Sequence, residues 1–422
     1  MDTLECFDVS VRGLGFTGLA TAVAAARVGL RTIGLDDSAD RVCQITRILP
    51  GCGLGTVAES ELRDQLAEKR LTISDTSGIE PVAGIHVICV PTPAGNSDGA
   101  DLSALFSALD SVAPTLRDGD LVLVQSTCPP GTTENLLRSR LAGSSGADWH
   151  LAYSPVRLDP GVRAATLRSV PRVVAGVTPL ATDLAVRFLR RVTDHVVPVS
   201  SVRVAELVKV FENTFRLVNI SLANELGEFC RESDVDVREV VAAAATKPYG
   251  FLPHEPGPGA GGDCVPVSAA FFAAAARRTG VPSAIVDAAV ALNDAMPGIV
   301  VRRIERLLVA HRLAPLAGRR ILVAGVTYKP DVPNVRRSAA VRVIEHLHRM
   351  ADVAYHDPYV PVLRLPDDTV LHDTTAARHS ADLVLVVTRH RAVPAPVTGR
   401  DVPVIDCTGG APALMEVFGD AH

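Results

Sequence analysis

The chain has 422 residues, of which 47% are hydrophobic and 21% are charged. At about 150 residues per domain, this length predicts several folded domains, and the composition excludes a disordered or collagen-like chain. The formal net charge of -5, from 42 Lys and Arg against 47 Asp and Glu, provides no basic excess for a polyanion, so DNA and RNA are not expected partners.

The cysteine content gives no sign of a metal site. The eight cysteines are scattered, without a CxxC pair or a Cys/His cluster at zinc-ligand spacing. The first residues lack the basic region and apolar stretch of a secretory signal, and no apolar run approaches the roughly 18 residues that a membrane span needs. We therefore predict a cytoplasmic protein with reduced thiols, no metal and no membrane partner.

The first part of the chain alternates short apolar runs with helical stretches. Such alternation is typical of a parallel sheet with crossover helices. The clearest strand candidates are residues 7–11, 31–35, 85–90 and 121–125. We predict a Rossmann domain over residues 1–198.

The middle of the chain changes to a helical period. Residues 202–233 form one long helical pattern without proline. Further helical stretches cover 235–245, 266–278 and 283–311, with a Pro/Gly-rich loop between the first two. These patterns predict a helical central domain over 199–312.

A second alternating pattern follows the linker sequence LAPLAG. Strands are predicted at 319–325, 352–356, 382–388 and 402–407, with a helix at 338–350. These elements predict a C-terminal domain over 318–422. The predicted fold class is α/β, with two Rossmann-like parallel-sheet domains joined by a helical central domain with a long helix.

A glycine-rich turn follows the first predicted strand. Gly13, Gly15 and Gly18 form a GxGxxG pattern that leads into a helix, and Asp36 ends the second predicted strand. In this context the glycines let the backbone approach a pyrophosphate at the helix N-terminus, and the acid binds the ribose hydroxyls. A carboxylate there favours NAD over NADP, whose extra phosphate it would repel. The alternative is a tight turn without a ligand.

Two further loops follow apolar strands, VPTP at 90–93 and QSTCPPGTT at 125–133. Ligands of an open parallel sheet bind beyond the carboxyl ends of its strands, so both loops are expected to line the cofactor crevice. Ordinary strand-to-helix turns are the alternative.

Three other sets of residues could carry chemistry. Lys209 and Asn213 are four residues apart and hence share one helix face. Cys264 follows a glycine-dense loop at the start of a helix, where the helix dipole lowers a thiol pKa. Lys329 and Arg336 follow the first strand of the last domain and suit a phosphate-bearing ligand. The alternatives are a solvated helix face, a buried structural cysteine and a surface charge cluster.

These motifs, in this order, resemble the UDP-glucose/GDP-mannose dehydrogenase family, particularly its N-acetylhexosamine branch. The resemblance covers nearly the whole chain, and its most specific stretches are VPTP, STCPPGTTE, YSPVRLDPG, AELVKVFENTFRLVNISLANEL, GPGAGGDCVP and YKPDVPNVRRS. It implies an N-terminal NAD domain, a central dimerisation core and a C-terminal domain that holds the nucleotide of an NDP-sugar. The family reaction takes the C6 alcohol to a carboxylate in two NAD-dependent oxidations, through a thioester on a cysteine.

The motifs and the resemblance together predict three groups of site residues. The catalytic group is Lys209 and Asn213, which match residues that bind and polarise the reacting oxygen, the nucleophile Cys264, and Thr127 beside nicotinamide and water. The cofactor group is Gly13, Gly15, Phe16, Thr17, Gly18, Asp36, Arg41, Pro91, Thr92, Ser126 and Thr127. The substrate group is Arg157, Lys209, Asn213, Tyr249, Phe251, Gly259, Gly261, Lys329 and Arg336. The predicted partners are a nucleotide sugar and a second copy of the chain in a homodimer.

Two departures from the family pattern remove carboxylates. Val156 replaces the Glu of Tyr-Ser-Pro-Glu-Arg, and Ser268 replaces the Asp four residues after the cysteine. Loss of one general base costs about two to four orders of magnitude in the step that it serves. Hydrolysis of an acyl-enzyme should therefore fail, while hydride abstraction survives because Lys209 with a bound water can accept the alcohol proton.

The sequence thus favours a two-electron oxidation at C6 to a carbonyl, which is a ketone if the alcohol is secondary, as in a chain-extended sugar. One alternative is that Asp159 or Asp263 supplies a displaced carboxylate and the four-electron oxidation to an NDP-uronate survives. Another is a non-catalytic sugar-nucleotide-binding paralogue. A keto-sugar product would suit the biosynthesis of an antibiotic or another secondary metabolite.

Overall fold

The chain divides into two compact units, Met1–Glu212 with Ala270–Val281, and Asn213–Ala269 with Pro282–His422. The computed structural model describes residues 6–49, 55–76, 81–95, 99–159, 166–313, 315–374, 380–391, 402–408 and 413–415. Cys52, the last two residues of the YSPVRLDPG motif and one residue of the LAPLAG linker lie outside the described residues. The division into three domains stays a prediction.

An eight-stranded sheet forms the first unit, as far as its residues are described. Its strands are β1 (Cys6–Arg12), β2 (Thr32–Asp36), β3 (Leu71–Asp75), β4 (Val82–Ile88), β5 (Leu121–Val124), β6 (His150–Tyr153), β7 (Arg172–Gly176) and β8 (Val196–Pro198). Their spatial order is β3-β2-β1-β4-β5-β6-β7-β8, and neighbouring strands are parallel except β6 and β7. The strand order reverses between β1 and β4, and ligands of an open sheet bind beyond the carboxyl ends of such strands.

Helices cover this sheet. They are α1 (Phe16–Arg27), α2 (Ala39–Thr46), α3 (Glu59–Ala67), α4 (Ser103–Val112), α5 (Arg138–Ser144) and α6 (Pro179–Val192), with a π-helical turn at Thr133–Leu137 directly before α5. Residues 18–26 of α1 are all buried, because their small side chains let the helix approach its neighbours from every side.

Four helices follow in the chain: α7 (Val202–Glu232), α8 (Val237–Ala245), α9 (Val265–Arg278) and α10 (Ala284–Ala310). Their bounds confirm the predicted helical stretches to within about two residues. Of the described helices, α10 alone is long and apolar enough to cross a membrane by length and composition. Its Met296, Val300 and Ile304 are buried in the core of the second unit, and so is the charged Arg303. These contacts are those of a core helix.

The second unit also contains a five-stranded sheet. Its elements are β9 (Arg320–Ala324), α11 (Ala339–His348), β10 (Asp352–His356), the hairpin β11 (Val362–Arg364) and β12 (Val370–His372), β13 (Leu383–Val386), β14 (Val404–Asp406) and β15 (Ala413–Met415). The sheet order is β10-β9-β13-β14-β15, with parallel neighbours except β14 and β15. The predicted α/β fold class is confirmed: the chain contains two largely parallel sheets and, between them in sequence, one long helix.

Candidate functional sites

The glycine turn after β1 leaves no room for side chains. Gly13 has a φ of +86°, and a Cβ atom on it would lie 2.8 Å from the Cys89 carbonyl oxygen. A Cβ atom on Gly18 would lie 1.8 Å from the carbonyl oxygen of Gly13. Glycine is therefore required at both positions, and the turn keeps α1 close to the ends of β1 and β4.

The N-terminus of α1 is open to a ligand. Gly15 occupies the N-cap position, no side chain caps the helix, and no described atom lies within 4 Å of where its Cβ would be. The first turn, Phe16 to Gly18, thus presents backbone N–H groups at the positive end of the helix dipole. This cradle fits a pyrophosphate.

Asp36 forms a hydrogen bond with the glycine turn beside which it is predicted to bind the ribose. Its carboxylate accepts hydrogen bonds from the backbone N–H of Leu14 at 2.7 Å and of Ser38 at 3.0 Å. The Nε of Arg41 donates to the carbonyl oxygen of Leu14 at 3.0 Å. Each carboxylate oxygen keeps lone-pair capacity for a ribose hydroxyl, so these residues fit NAD.

The two predicted loops beyond β4 and β5 are joined by hydrogen bonds. The Thr92 hydroxyl donates to the carbonyl oxygen of Thr127 at 2.6 Å, and the Ser126 hydroxyl donates to that of Val90 at 2.7 Å. Pro91 lies exposed between these two anchors. The structure therefore brings the predicted cofactor residues of both loops to one edge of the sheet.

Glu206 is a residue whose importance was not apparent in the sequence. Its side chain is fully buried, at 0% exposure, and accepts hydrogen bonds from the backbone N–H of Gly131 and from both the backbone N–H and the hydroxyl of Thr133. Burial is the largest influence on this carboxyl group and raises its pKa to about 6. The signal in the sequence was its position three residues before Lys209, on the same helix face. Lys209 is itself buried.

Arg157, which is predicted to bind substrate, forms hydrogen bonds with other residues of the chain. Its Nε donates to Glu212 at 3.1 Å, its Nη2 donates to the other carboxylate oxygen of Glu212, and its Nη1 donates to the carbonyl oxygen of Pro171 at 3.0 Å. This bidentate geometry fixes the segment after β6 to α7.

In the second unit, a small hydrogen-bonded cluster surrounds the backbone of Cys264. The Asn213 amide donates to the Ser268 hydroxyl at 2.9 Å and to the Cys264 carbonyl oxygen at 3.3 Å. The Ser268 hydroxyl donates to the same carbonyl oxygen at 2.7 Å. Asn213 and Ser268 are buried, whereas Cys264 is exposed directly before α9.

The described thiols differ sharply in accessibility. Burial raises the pKa of Cys89 to about 12 and that of Cys128 well above its ordinary value. Burial also raises the pKa of Cys407 far above the ordinary value. Cys264 instead combines exposure with a position at a helix N-terminus, which is the environment of a reactive cysteine.

The glycine-rich loop before Cys264 lies against the segment that follows β9. The backbone N–H of Gly262 donates to the Arg336 carbonyl oxygen at 3.0 Å, and a Cβ atom on Gly261 would lie 2.6 Å from the carbonyl oxygen of Arg337. The Arg336 guanidinium also pairs with the Asp263 carboxylate at 3.1 Å.

Two side chains of helices α7 and α10 hold the same loop from within the second unit. Asn224 accepts from the backbone N–H of Gly257 at 2.7 Å, and Asn293 accepts from that of Ala260 at 2.6 Å. Gly259, with a φ of +120°, lies beside Asn293. The predicted aromatic residues Tyr249 and Phe251 are exposed on the segment that precedes the loop.

The turn after β9 repeats the construction of the turn after β1. The backbone N–H of Val326 donates to Asp357 at 2.7 Å, as that of Leu14 donates to Asp36. Asp357 is buried, however, and accepts a further bond at 2.9 Å from His390 Nε2, whose Nδ1 accepts from the Asp331 backbone N–H. The acid is therefore covered, and Lys329 lies half-buried on the same loop.

Comparison with known proteins agrees with this geometry. The family models for UDP-glucose/GDP-mannose dehydrogenases match residues 7–193 as the NAD binding domain, 203–295 as the central domain and 322–408 as the UDP binding domain. The chain belongs to the UDP-glucose/GDP-mannose dehydrogenase family. It is an NAD-dependent oxidoreductase of nucleotide sugars.

Named relatives of this dehydrogenase act on N-acetylhexosamine nucleotides. It is 31% identical to a UDP-N-acetyl-D-mannosamine dehydrogenase of Methanococcus aeolicus, over 87% of this chain and 82% of the relative. It is also 31% identical to a UDP-N-acetyl-D-glucosamine 6-dehydrogenase of Pseudomonas aeruginosa, over 83% of each chain. The solved UDP-D-ManNAc dehydrogenase of Pyrococcus horikoshii superposes with a TM-score of 0.80 at 29% identity, covering 91% of this chain and 90% of that one.

No cluster of three or more His, Cys, Asp or Glu side chains that could hold a metal ion occurs among the residues that the structure describes.

Proposed function

We propose that this dehydrogenase oxidises the C6 hydroxyl of an NDP-sugar by two electrons and releases a carbonyl compound. The supporting observation is the chemistry at positions 156 and 268, where the resemblance places the two carboxylates that serve the second oxidation. A side chain that cannot take up a proton at neutral pH stands at each position.

Val156 is an apolar core residue. It is 7% exposed and belongs to the hydrophobic cluster of the first unit. Ser268 is fully buried, donates to the Cys264 carbonyl oxygen and accepts from the Asn213 amide. A serine hydroxyl used in this way supports the loop before α9 but does not activate water for hydrolysis of a thioester.

Asp263, one of the two carboxylates that could replace the missing ones, is paired with Arg336 at 3.1 Å. The guanidinium Nη1 donates a hydrogen bond to the Oδ2 atom of this carboxylate. Because one of its oxygens is engaged by Arg336, this pairing favours the two-electron reaction over a displaced general base.

The protein groups have simple roles in one oxidation. NAD supplies the hydride acceptor. Asn213 and Lys209 bind the reacting oxygen, and Lys209 with a bound water takes the hydroxyl proton as the C–H bond breaks. Thr127 lies on the loop predicted to reach nicotinamide. The reaction is balanced as alcohol plus NAD⁺ giving carbonyl compound, NADH and a proton, so Cys264 need not form a covalent bond.

The nucleotide of the substrate is expected to bind the C-terminal region through Lys329 and Arg336. A nucleotide sugar with an N-acetylated hexose agrees with the substrates of the named relatives. A chain-extended sugar whose alcohol is secondary would agree instead with the neutral residues at positions 156 and 268. The ketone formed in the second case would serve cytoplasmic assembly of a secondary metabolite, such as an antibiotic sugar.

The stoichiometry of NADH tests this function. Purified enzyme should be supplied in turn with UDP-, GDP- and dTDP-sugars, and NADH and products measured at complete conversion. We expect one NADH per sugar and a carbonyl that reacts with hydroxylamine. Two NADH and an acid would overturn the proposal, and loss of that acid in D159N or D263N would identify the base.

A further inference from the structure

The buried carboxylate of Glu206 joins the loop that follows β5 to helix α7, which carries Lys209. Its Oε2 accepts the backbone N–H of Gly131 at 2.5 Å, while its Oε1 accepts the backbone N–H of Thr133 at 2.7 Å and the Thr133 hydroxyl at 2.6 Å. All three donors come from one segment of three residues that is more than 70 positions away in the chain.

That segment is the far end of the loop that carries Thr127. At the near end of the loop, the Ser126 hydroxyl donates to the Val90 carbonyl oxygen, and the Thr127 carbonyl oxygen accepts from the Thr92 hydroxyl. Glu206 therefore anchors this loop to α7. Because Lys209 follows Glu206 by three residues on the same helix face, one rigid connection runs from the loop to the lysine.

We propose that Glu206 is a positioning residue whose ionised carboxylate fixes the loop of residues 126–133 to α7 and so sets the position of Thr127 relative to Lys209. The proposal rests on the roles given above to these two residues. It assigns to Glu206 no contact with substrate or cofactor.

The charge state of Glu206 decides how many of its bonds survive. An ionised carboxylate accepts all three donors, whereas a protonated carboxyl points its own O–H at an N–H and loses a bond. Arg203 on α7 favours the ionised form but pairs with Glu134 at 3.5 Å. Cys128 and Tyr153 also lie near Glu206, and burial raises the pKa values of both, so both are neutral. Lys209 lies about one helical turn further along the same face of α7.

Activity and stability should consequently depend on pH with opposite signs. Burial raises the pKa of Glu206 from 4.5 to about 6, so this group's contribution to stability is greatest below 4.5 and is lost as the pH rises through 6. The loop is clamped only above that pH. A fall of kcat on acidification through pH 6 thus cannot come from unfolding driven by Glu206.

The decisive variant is Glu206→Gln, which is nearly isosteric but presents an NH₂ group to one of the N–H donors. We expect kcat to fall about 10- to 100-fold, because small misplacement of catalytic groups has effects of that size. We expect KM for the nucleotide sugar to stay within about twofold, because the variant touches no substrate-binding group. The low-pH limb of kcat near 6 should disappear.

Three further variants separate positioning from general damage. Glu134→Gln removes the same charge from an exposed residue of the same segment and should leave kcat at pH 7.5 unchanged. Thr133→Val removes one donor and should lower kcat by less than E206Q, whereas Thr133→Ser keeps the hydroxyl and should restore it. The proposal is overturned if kcat of E206Q still falls on acidification through pH 6, or if E134Q loses as much kcat as E206Q does.

Amide hydrogen exchange tests the clamp without turnover. In the wild-type protein with NAD, protection factors, which correct for the slower intrinsic exchange at low pH, should be high for peptides covering 126–133 at pH 7.5 and lower at pH 5.5. E206Q should show fast exchange at both values. If wild type shows this pattern but oxidises no nucleotide sugar, the proposed function fails and the clamp stands. Equal exchange in wild type and E206Q would refute the clamp alone.

Discussion

At position 268, a serine hydroxyl occupies the place where the family resemblance puts a carboxylate, and its hydrogen bonds show why the substitution folds without strain. The hydroxyl accepts from Asn213 and donates to the Cys264 carbonyl oxygen, so no polar group of this pair is left unpaired. A carboxylate at this position could accept from Asn213 but would face the carbonyl oxygen without a proton to donate. The local structure is thus adapted to a neutral residue.

The residue-scale prediction concerns the Cys264 thiol. Cys264→Ser should retain kcat within about threefold, because a two-electron oxidation forms no covalent bond to sulfur. The comparison variant is Cys43→Ser, a half-buried thiol outside the predicted site. Steady-state NADH formation with the best sugar of the panel measures both. A loss of more than 100-fold in C264S alone would indicate an essential thioester and contradict the proposal.

At the scale of the element, the entry to α1 determines cofactor binding. Residues of β1, the glycine turn and α1 pack so closely that a single methyl group at Gly18 meets the Gly13 carbonyl oxygen. The same helix end lacks a side-chain cap, so its N–H groups can bind a phosphate. The same glycine-rich sequence therefore lets α1 pack closely against β1 and leaves the N–H groups at the start of α1 available to a phosphate.

Substitution of two helical glycines checks this explanation. Gly18→Ala should weaken NAD binding at least about 10-fold, because the turn must open to admit the Cβ atom. Gly143→Ala in α5, where an added Cβ atom would meet nothing within 4 Å, should leave NAD affinity unchanged and raise stability by about 0.4–1 kcal/mol. Calorimetric titration with NAD and thermal unfolding measure the two effects. Equal NAD affinity in G18A and wild type would contradict the account.

At the scale of the whole molecule, α7 has an exposed apolar stripe. Its residues recur at intervals of three, four and seven, as expected for one face of a helix, and they are Val204, Leu207, Phe211, Phe215, Leu222 and Phe229. Contiguous exposed apolar surface of this kind favours association. The predicted homodimer would bury it against the same helix of a second copy.

A charge in the stripe tests the dimer. Leu222→Asp should convert the protein from dimer to monomer in light scattering coupled to size exclusion. Leu180→Asp changes an exposed leucine of α6 away from the stripe and should leave the mass of the dimer unchanged. A monomeric wild-type protein, or a dimeric L222D, would show that α7 does not form the interface.

Local sequence predicted much of the fold because its signals act over short distances. The strand predicted at 352–356 matches β10, and the helix predicted over 202–233 matches α7 to one residue. Both follow from apolar periodicity that neighbouring residues alone determine. The hairpin of β11 and β12 was not predicted, because its three-residue strands are too short to show a period.

The sequence by itself determined the family, the NAD fingerprint at Gly13 to Gly18 and the neutral residues at 156 and 268, because these depend on residue identity and short spacing. The tertiary structure alone decided which side chains pair. It pairs Arg157 with Glu212, and it places the Glu206 carboxylate against the loop that carries Thr127. Such pairings join positions more than 50 residues apart, so they depend on how strands and helices pack rather than on any local pattern.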